Sequence, residues 1–424
     1  MLAPAAGVPP VVTSAVALDA AVAALDAGTG AVAVDTERAS GYRYWQRAYL
    51  IQLRREGAGT ALIDPVGLDD LSGLAEVLNS LEWVLHAASQ DLPCLAELGL
   101  RPAAIFDTEL AARLAGLERV GLAALVEELL GYHLQKGHGA ADWSRRPLPT
   151  EWLTYAALDV ELLLPLRSVL AAELDAQGKA AWAAEEFEAV RTAGPPAPRP
   201  DPWRRTSGMH RVHRPRDLAA VRELWLARER LARQRDIAPG RVLPDAAIID
   251  AALADPPDDA ALLSRPVFGG RSQRRQVKTW LTALQTARAL PAGELPSVHA
   301  HNGSPPPVNR WPDRDPAAAI RLVAVRAALA EIAEQHRLPL QNLLQPDMVR
   351  RLCWEPPEPL DVTAVDRELA SGGARRWQRE LTAGALTTAL NSPLGSPSST
   401  TNPGHVRRQR LPTPGSCGQA TTQP

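Results

Sequence analysis

Residues 31–37 read AVAVDTE, small apolar side chains that run without a break into two carboxylates separated by one residue. Valine and alanine at that density, closed off by charge, predict a buried strand whose C-terminal end carries acid. Side chains two apart on a strand point to one side, so Asp35 and Glu37 would present their oxygens to a single spot. Two ionised carboxylates there repel. Either a divalent cation resolves the conflict, or the strand stops at the surface and water does; the stretch alone leaves both open.

Upstream, residues 16–27 carry apolar side chains at helical spacing and stop at Gly28, which suits a short helix. Downstream, RAYLIQLR at 47–54 and TALI at 60–63 read as strands joined by a charged, glycine-containing turn over 55–59. Residues 71–78 predict a helix, 83–86 a buried strand, 91–98 a helix with Ser89 as its cap, and 105–107 a last strand. Three strands without helices, followed by strands alternating with helices, predict a mixed sheet covered by helices.

Two further acids fall where they could reach the first pair. Asp91 opens a helix just after the strand that ends at His86, so its carboxylate can return to the sheet edge carrying Asp35; it can equally serve the helix dipole. EWLTYAALDVELLLPL, 151–166, predicts one amphipathic helix on which Tyr155 and Asp159 share the inward face with Trp152, Leu158 and Leu162. A buried acid needs a cation or a donor, and Tyr155, one turn away, can be that donor. Asp107 precedes a helix, reads as its N-cap and stays outside the acid set. His86, at a strand end, reads as a hydrogen-bonded histidine rather than a substrate contact. Trp143 beside Arg145 and Arg146 offers an aromatic and cations that could stack a base and hold phosphate, with packing as the other reading.

At 424 residues the chain exceeds one ordinary core. The formal net charge is −2, but arginines crowd between Arg204 and Arg241, so a polyanionic partner is not excluded. Cys94, Cys353 and Cys417 form no CxxC or metal-ligand spacing, which sets aside a disulfide frame and a zinc site and fits a reducing compartment. The opening MLAPAAGVPP lacks a basic n-region, and no apolar run approaches the roughly 20 residues of a membrane span; the expectation is a cytoplasmic protein.

AGPPAPRPDPW at 193–203 is proline-rich and aperiodic, as in a stiff linker. Beyond it helices are predicted at 218–235, 245–254, 259–263 and 271–288, then, after PPPVNRWPDRDP at 305–316, at 317–336 and 377–390. IAEQHRLPLQNLLQPDMVRRL at 332–352 echoes LARQRDIAPGRVLPDAAIIDA at 231–251, so the second helical block reads as a degenerate copy of the first. Residues 391–424, rich in serine, threonine, proline and glycine, are expected to be disordered.

Taken together, these residues carry a family pattern. VDTE at 34–37 with LIQL at 50–53 resembles the first exonuclease motif of the DEDD superfamily, HAASQDL at 86–92 leading into FDTELAARLAG at 106–116 the second, and YAALD at 155–159 the third, in the form with tyrosine four residues before aspartate. GLAALVEELLG at 121–131 and ADWSRRPL at 141–148 resemble the segments joining these motifs in the ribonuclease D family, and residues 224–252 resemble the HRDC domain. The resemblance implies an α/β RNase H-like exonuclease domain, a mixed sheet flanked by helices, followed by all-α HRDC-like bundles that bind nucleic acid. It divides the chain into an exonuclease domain at 1–192, a linker at 193–210, an HRDC domain at 211–291, a linker at 292–315, a second HRDC-like domain at 316–390 and the tail at 391–424.

For the chemistry, the resemblance implies two metal ions gathered by Asp35, Glu37, Asp91 and Asp159, with Asp35 bridging both and Tyr155 positioning the attacking water. An all-carboxylate set suits the hard cations Mg²⁺ or Mn²⁺. The expected activity is 3′-to-5′ exoribonuclease action by a monomer, releasing mononucleotides from tRNA precursors or other structured RNA with a 3′ single strand. A DNA exonuclease with the same site, or an inactive nucleic-acid-binding protein, are the alternatives.

Overall fold

The computed structural model describes residues 3–134, 137–194, 198–298 and 303–392. Its α/β body is built on a six-stranded sheet: β1 (Val11–Val12), β2 (Thr29–Arg38), β3 (Ala48–Glu56), β4 (Gly59–Ile63), β5 (Glu82–Leu85) and β6 (Ala104–Asp107), in the spatial order β1-β4-β3-β2-β5-β6. The meander β2-β3-β4 is antiparallel, whereas β5 and β6 add in parallel beside β2 and β1 adds in parallel to β4. The sheet is thus mixed, as the alternation of elements predicted. The two-residue β1 is not among the expected strands; directly after Pro9 and Pro10, so short a strand has no period to announce it.

Helices cover the sheet: α1 (Ala15–Ala27), α2 (Ser72–Leu78), α3 (Leu92–Glu97), α4 (Thr108–Ala115), α5 (Leu122–Leu130), α6 (Thr150–Glu161), α7 (Leu163–Ala176) and α8 (Ala180–Arg191). Their ends follow local chemistry. Ser14 caps α1 by accepting from the Ala17 N–H, and Asp107 caps α4 by accepting from Glu109 and Leu110. The single helix expected over 151–166 is two, broken at Leu162. Pro165 is the cause: it has no N–H for the carbonyl of Glu161, and its ring crowds that oxygen. Ser89 does not cap the helix after β5; it lies in a short 3₁₀ turn, Ala88–Gln90, that precedes α3.

The middle bundle comprises α9 (Pro215–Arg235), α10 (Pro239–Val242), α11 (Asp245–Ala254), α12 (Asp259–Leu263), α13 (Arg271–Arg274) and α14 (Val277–Ala289), so the helix expected over 271–288 is interrupted. It has its own core, and Trp203, at the end of the proline-rich stretch, is buried in it. This bundle grips the loop after β2: Asp236 accepts from the backbone N–H groups of Tyr44 (3.1 Å) and Trp45 (3.0 Å), and the Ala238 N–H donates to the Tyr42 carbonyl (2.9 Å).

The C-terminal bundle comprises α15 (Trp311–Arg314), α16 (Pro316–Gln335), α17 (Leu340–Leu343), α18 (Pro346–Trp354), α19 (Val362–Ser371) and α20 (Arg376–Asn391). Its buried side chains run on into those of the α/β body as one core. Trp377 on α20 stacks on Trp182 of α8 with ring centroids 4.9 Å apart, and its indole N–H donates to Glu186. Lys179 reaches across to donate to the carbonyls of Leu114 (2.7 Å) and His336 (2.6 Å). Gly116 makes the approach possible: it sits at φ 83°, and a Cβ there would fall 2.6 Å from the Arg337 carbonyl. No helix among the described residues is long and apolar enough to cross a membrane. The tail expected to be disordered lies, from residue 393 on, outside the described residues.

Candidate active site

The pleat of β2 turns Asp35 and Glu37 to one face, where Gln52 and Leu50 of β3 stand opposite them. Helix α6 lies across that face over β2, β3 and β4, and brings Asp159 down onto the acid pair. One carboxylate oxygen from each of Asp35, Glu37 and Asp159 lies within 4.8 Å of the other two. Tyr155, one turn earlier on α6, hydrogen-bonds to Asp159. The loop before α6 holds Tyr155 from outside: a Cβ on Gly137 would fall 2.6 Å from its ring.

Asp91 stands beside this triplet rather than in it. It is the first residue before α3 but caps nothing; its carboxylate instead accepts from the Thr36 hydroxyl at 2.7 Å and faces the Arg38 guanidinium at 3.7 Å. Its approach to β2 matches the return to the sheet edge expected from the sequence, although Thr36 and Arg38 carry no sequence signal for those roles. Asp35, Glu37, Arg38, Asp91, Tyr155 and Asp159 line one open cleft of ≈530 Å³. A larger cleft of ≈700 Å³ opens in the C-terminal bundle, but it holds no converging acids among the described residues.

Electrostatically the cluster is under strain. Burial first, then the neighbouring Asp159 and Asp91 charges, push Glu37 up to about 9. Burial and the charges of Asp91, Asp159 and Glu37 hold Asp35 well above the ordinary carboxylate range. Burial raises Asp159 to about 7 against the stabilising hydrogen bond from Tyr155, and raises Asp91 to about 6 against Thr36 and Arg38. Burial and the adjacent acids push the Tyr155 phenol further up, so it remains protonated at neutral pH. Three converging carboxylates with oxygen donors only and no lysine or arginine among them are a fit for a hard divalent cation.

Asp107, His86, Trp143 and Arg146, also singled out in the sequence, have structural partners. Asp107 accepts from four backbone N–H groups, those of Ala87, Ala88, Glu109 and Leu110. His86 lines the cleft but its Nδ1 is bonded to Thr108 Oγ1 at 2.9 Å, and burial lowers its pKa. Trp143 is fully buried against Trp152, and Arg146 forms a two-pronged pair with Asp64 while donating to the Tyr49 carbonyl. Of the two readings the sequence left open for Trp143 and Arg146, these contacts support packing.

By fold this is a 3′-5′ exonuclease: residues 9–175 match the family model described as 3′-5′ exonuclease, a domain that depends on divalent metal. Residues 217–284 match the HRDC domain, and residues 304–390 match the model described as a 3′ to 5′ exonuclease C-terminal domain. Among curated relatives, the ribonuclease D of Gluconacetobacter diazotrophicus is 33% identical over 77% of this chain and 81% of its own. Among solved structures, a protein from Bifidobacterium adolescentis superposes with a TM-score of 0.85 at 39% identity, covering 92% of this chain and 99% of that one. Escherichia coli RNase D, described as an exoribonuclease involved in structured RNA processing, superposes with a TM-score of 0.66 at 30% identity over 90% of this chain and 98% of its own. The chain belongs to the ribonuclease D family and is a 3′-5′ exoribonuclease.

Proposed function

We propose that this enzyme removes mononucleotides one at a time from the 3′ single strand of structured RNAs such as tRNA precursors, acting as a cytoplasmic monomer with Mg²⁺ or Mn²⁺. In this reading Asp35, Glu37, Asp91 and Asp159 hold two ions and Tyr155 orients the attacking water. The observation that carries it is the meeting of Asp35, Glu37 and Asp159 within 4.8 Å at the floor of one open cleft. The description of the Escherichia coli relative supports structured RNA as the substrate class.

Bound divalent cations would supply an acidified water and offset the charge that grows on the leaving oxygen. The protein's own part is positioning. Asp35 and Glu37 are fixed by β2, Asp159 by α6, and the strain among them makes the ionised cluster dependent on added positive charge. Tyr155 keeps its proton at neutral pH, so it can orient water by hydrogen bonding but does not serve as the base. The arrangement breaks the phosphorus bond to the 3′ oxygen of the penultimate nucleotide and leaves the 5′ phosphate on the released nucleotide. The domain division proposed is the one read from the sequence, with the middle and C-terminal bundles gripping RNA.

The test is nucleotide release from a 3′-extended tRNA, read at single-nucleotide resolution with and without chelator, beside matched RNA and DNA 3′ overhangs. Stepwise release that needs metal and prefers RNA is expected. Asp35→Ala should abolish it, and Tyr155→Phe should slow it by less than loss of an acid does. RNA binding without release, or full release by Asp35→Ala, would refute the proposal.

A further inference from the structure

Gln52 sits on β3, wholly removed from solvent, and both polar atoms of its side-chain amide are without a hydrogen-bond partner among the described residues. A buried amide with every bond unmade is costly, and natural proteins keep such groups only where something else engages them. Its neighbours narrow what that is. Across the sheet on one side stands Leu62, and along the same face of β3 stands Leu50, neither of which offers a polar atom. Arg54, two residues on, is already bonded to Thr60 and faces Glu161 of α6 at 3.1 Å. Across the sheet on the other side stands Asp35, in register with Gln52 and pointing to the same face. Directly opposed side chains on one face start about 4.5–5.5 Å apart at Cβ, well within the reach of a glutamine amide.

We propose that Gln52 is a positioning residue for the metal site: its side-chain NH₂, which has no partner among the described residues, would donate to the facing Asp35 carboxylate and hold it in the orientation that ligates cation. The inference rests on the proposed reading of Asp35 as a metal ligand. A carboxylate that gives its front to cations has lone pairs left over behind, and a neutral donor there fixes its rotation without adding a competing charge. Lysine or arginine in this place would compete with the cation for the acid. Leucine would leave the carboxylate free to turn.

The test uses the full chain, with Mn²⁺ alone as the probe. Gln52→Met keeps the length and volume of the side chain and deletes its hydrogen bonding; Gln52→Leu is the second variant. Free Mn²⁺ followed by electron paramagnetic resonance should show binding at least tenfold weaker in Gln52→Met, while melting of the metal-free protein is unchanged or higher. Nucleotide release should fall at limiting Mn²⁺, recover at saturating Mn²⁺, and show the same KM for RNA. Mn²⁺ binding within twofold of the unsubstituted protein overturns the proposal. So does failure of both variants to melt cooperatively, because the amide would then be part of the sheet's structure. Asp159→Asn, run in parallel, separates this from the larger reading. Binding untouched by Asp159→Asn sinks the metal site itself, whereas binding lost there but kept in Gln52→Met sinks only the role of Gln52.

Discussion

Asp159→Asn should make the metal-free protein more stable while removing its response to metal. The oxygens of Asp35, Glu37 and Asp159 lie no more than 4.8 Å apart, and two unit charges at that distance repel by about 3.5 kcal/mol at an effective dielectric of about 20. The metal-free protein escapes this repulsion by keeping protons, with Asp91 raised to about 6, Asp159 to about 7 and Glu37 to about 9. The sign follows from linkage. Between the ordinary carboxylate range near 4 and these values the folded state holds more protons than the unfolded one, so metal-free stability falls as pH rises from about 4 through 9. Asparagine removes one member of the repelling set. At roughly 2–4 °C per kcal/mol for a domain of this size, one full pair repulsion corresponds to about 7–14 °C; because Glu37, raised to about 9, still holds most of its proton near pH 8.5, the variant should melt above the unsubstituted protein there by a part of that, about 5 °C. Thermal melts in chelator from pH 5 to 9, then with Mg²⁺ or Mn²⁺, make the measurement. The unsubstituted protein should lose stability with pH and regain it with metal; the variant should give a flatter curve and no metal gain. A flat curve for the unsubstituted protein, or a variant that melts no higher at pH 8.5, would refute the electrostatic account.

Two further predictions concern the helical bundles. Arg271, Arg274 and Arg275 line a shallow cleft of ≈380 Å³ on the middle bundle; changing all three to alanine should weaken binding of a long RNA and flatten its salt dependence by about one unit of slope per lost phosphate contact, with trimming of a short oligonucleotide unchanged. An unaltered salt slope would remove these arginines from the RNA path. Trp377→Ala deletes a fully buried ring stacked on Trp182 and should cost about 3–5 kcal/mol in a urea unfolding curve; a loss under about 1 kcal/mol would show that the shared core is not a source of stability.

The sheet was legible because its strands are local events. AVAVDTE, RAYLIQLR and TALI each announce a strand by composition, and the mixed pairing follows from their order. The acids could be placed for the same reason: Asp35 and Glu37 close a strand, Asp91 precedes a helix, and Asp159 lies on the inward face of an amphipathic one. What escaped is long-range. Nothing near Asp91 says that its carboxylate meets Thr36, 55 residues earlier, and nothing near Arg146 says that it pairs with Asp64, 82 residues earlier. The sequence therefore left Trp143 and its neighbouring cations open between a nucleic-acid contact and packing, and only the long-range pairing of Arg146 decides for packing. Trp203 and Trp311 sit in stretches whose prolines suggested linkers, yet each is buried in a helical core. The break at Leu162 was open to detection, since Pro165 is in the sequence, but the unbroken apolar period around it outweighed a single residue.

The indole of Trp377 bonds to Glu186 across 191 residues of chain. During synthesis, all four acids and Tyr155 have been made by residue 159, yet the flank of α8 waits for the last helix before its apolar side is closed. At 5–20 residues per second that interval is on the order of 10–40 seconds. A product cut short before Trp377 would carry all four acids and Tyr155 but lack the ring that stacks on Trp182 and bonds to Glu186, leaving that flank of α8 uncovered.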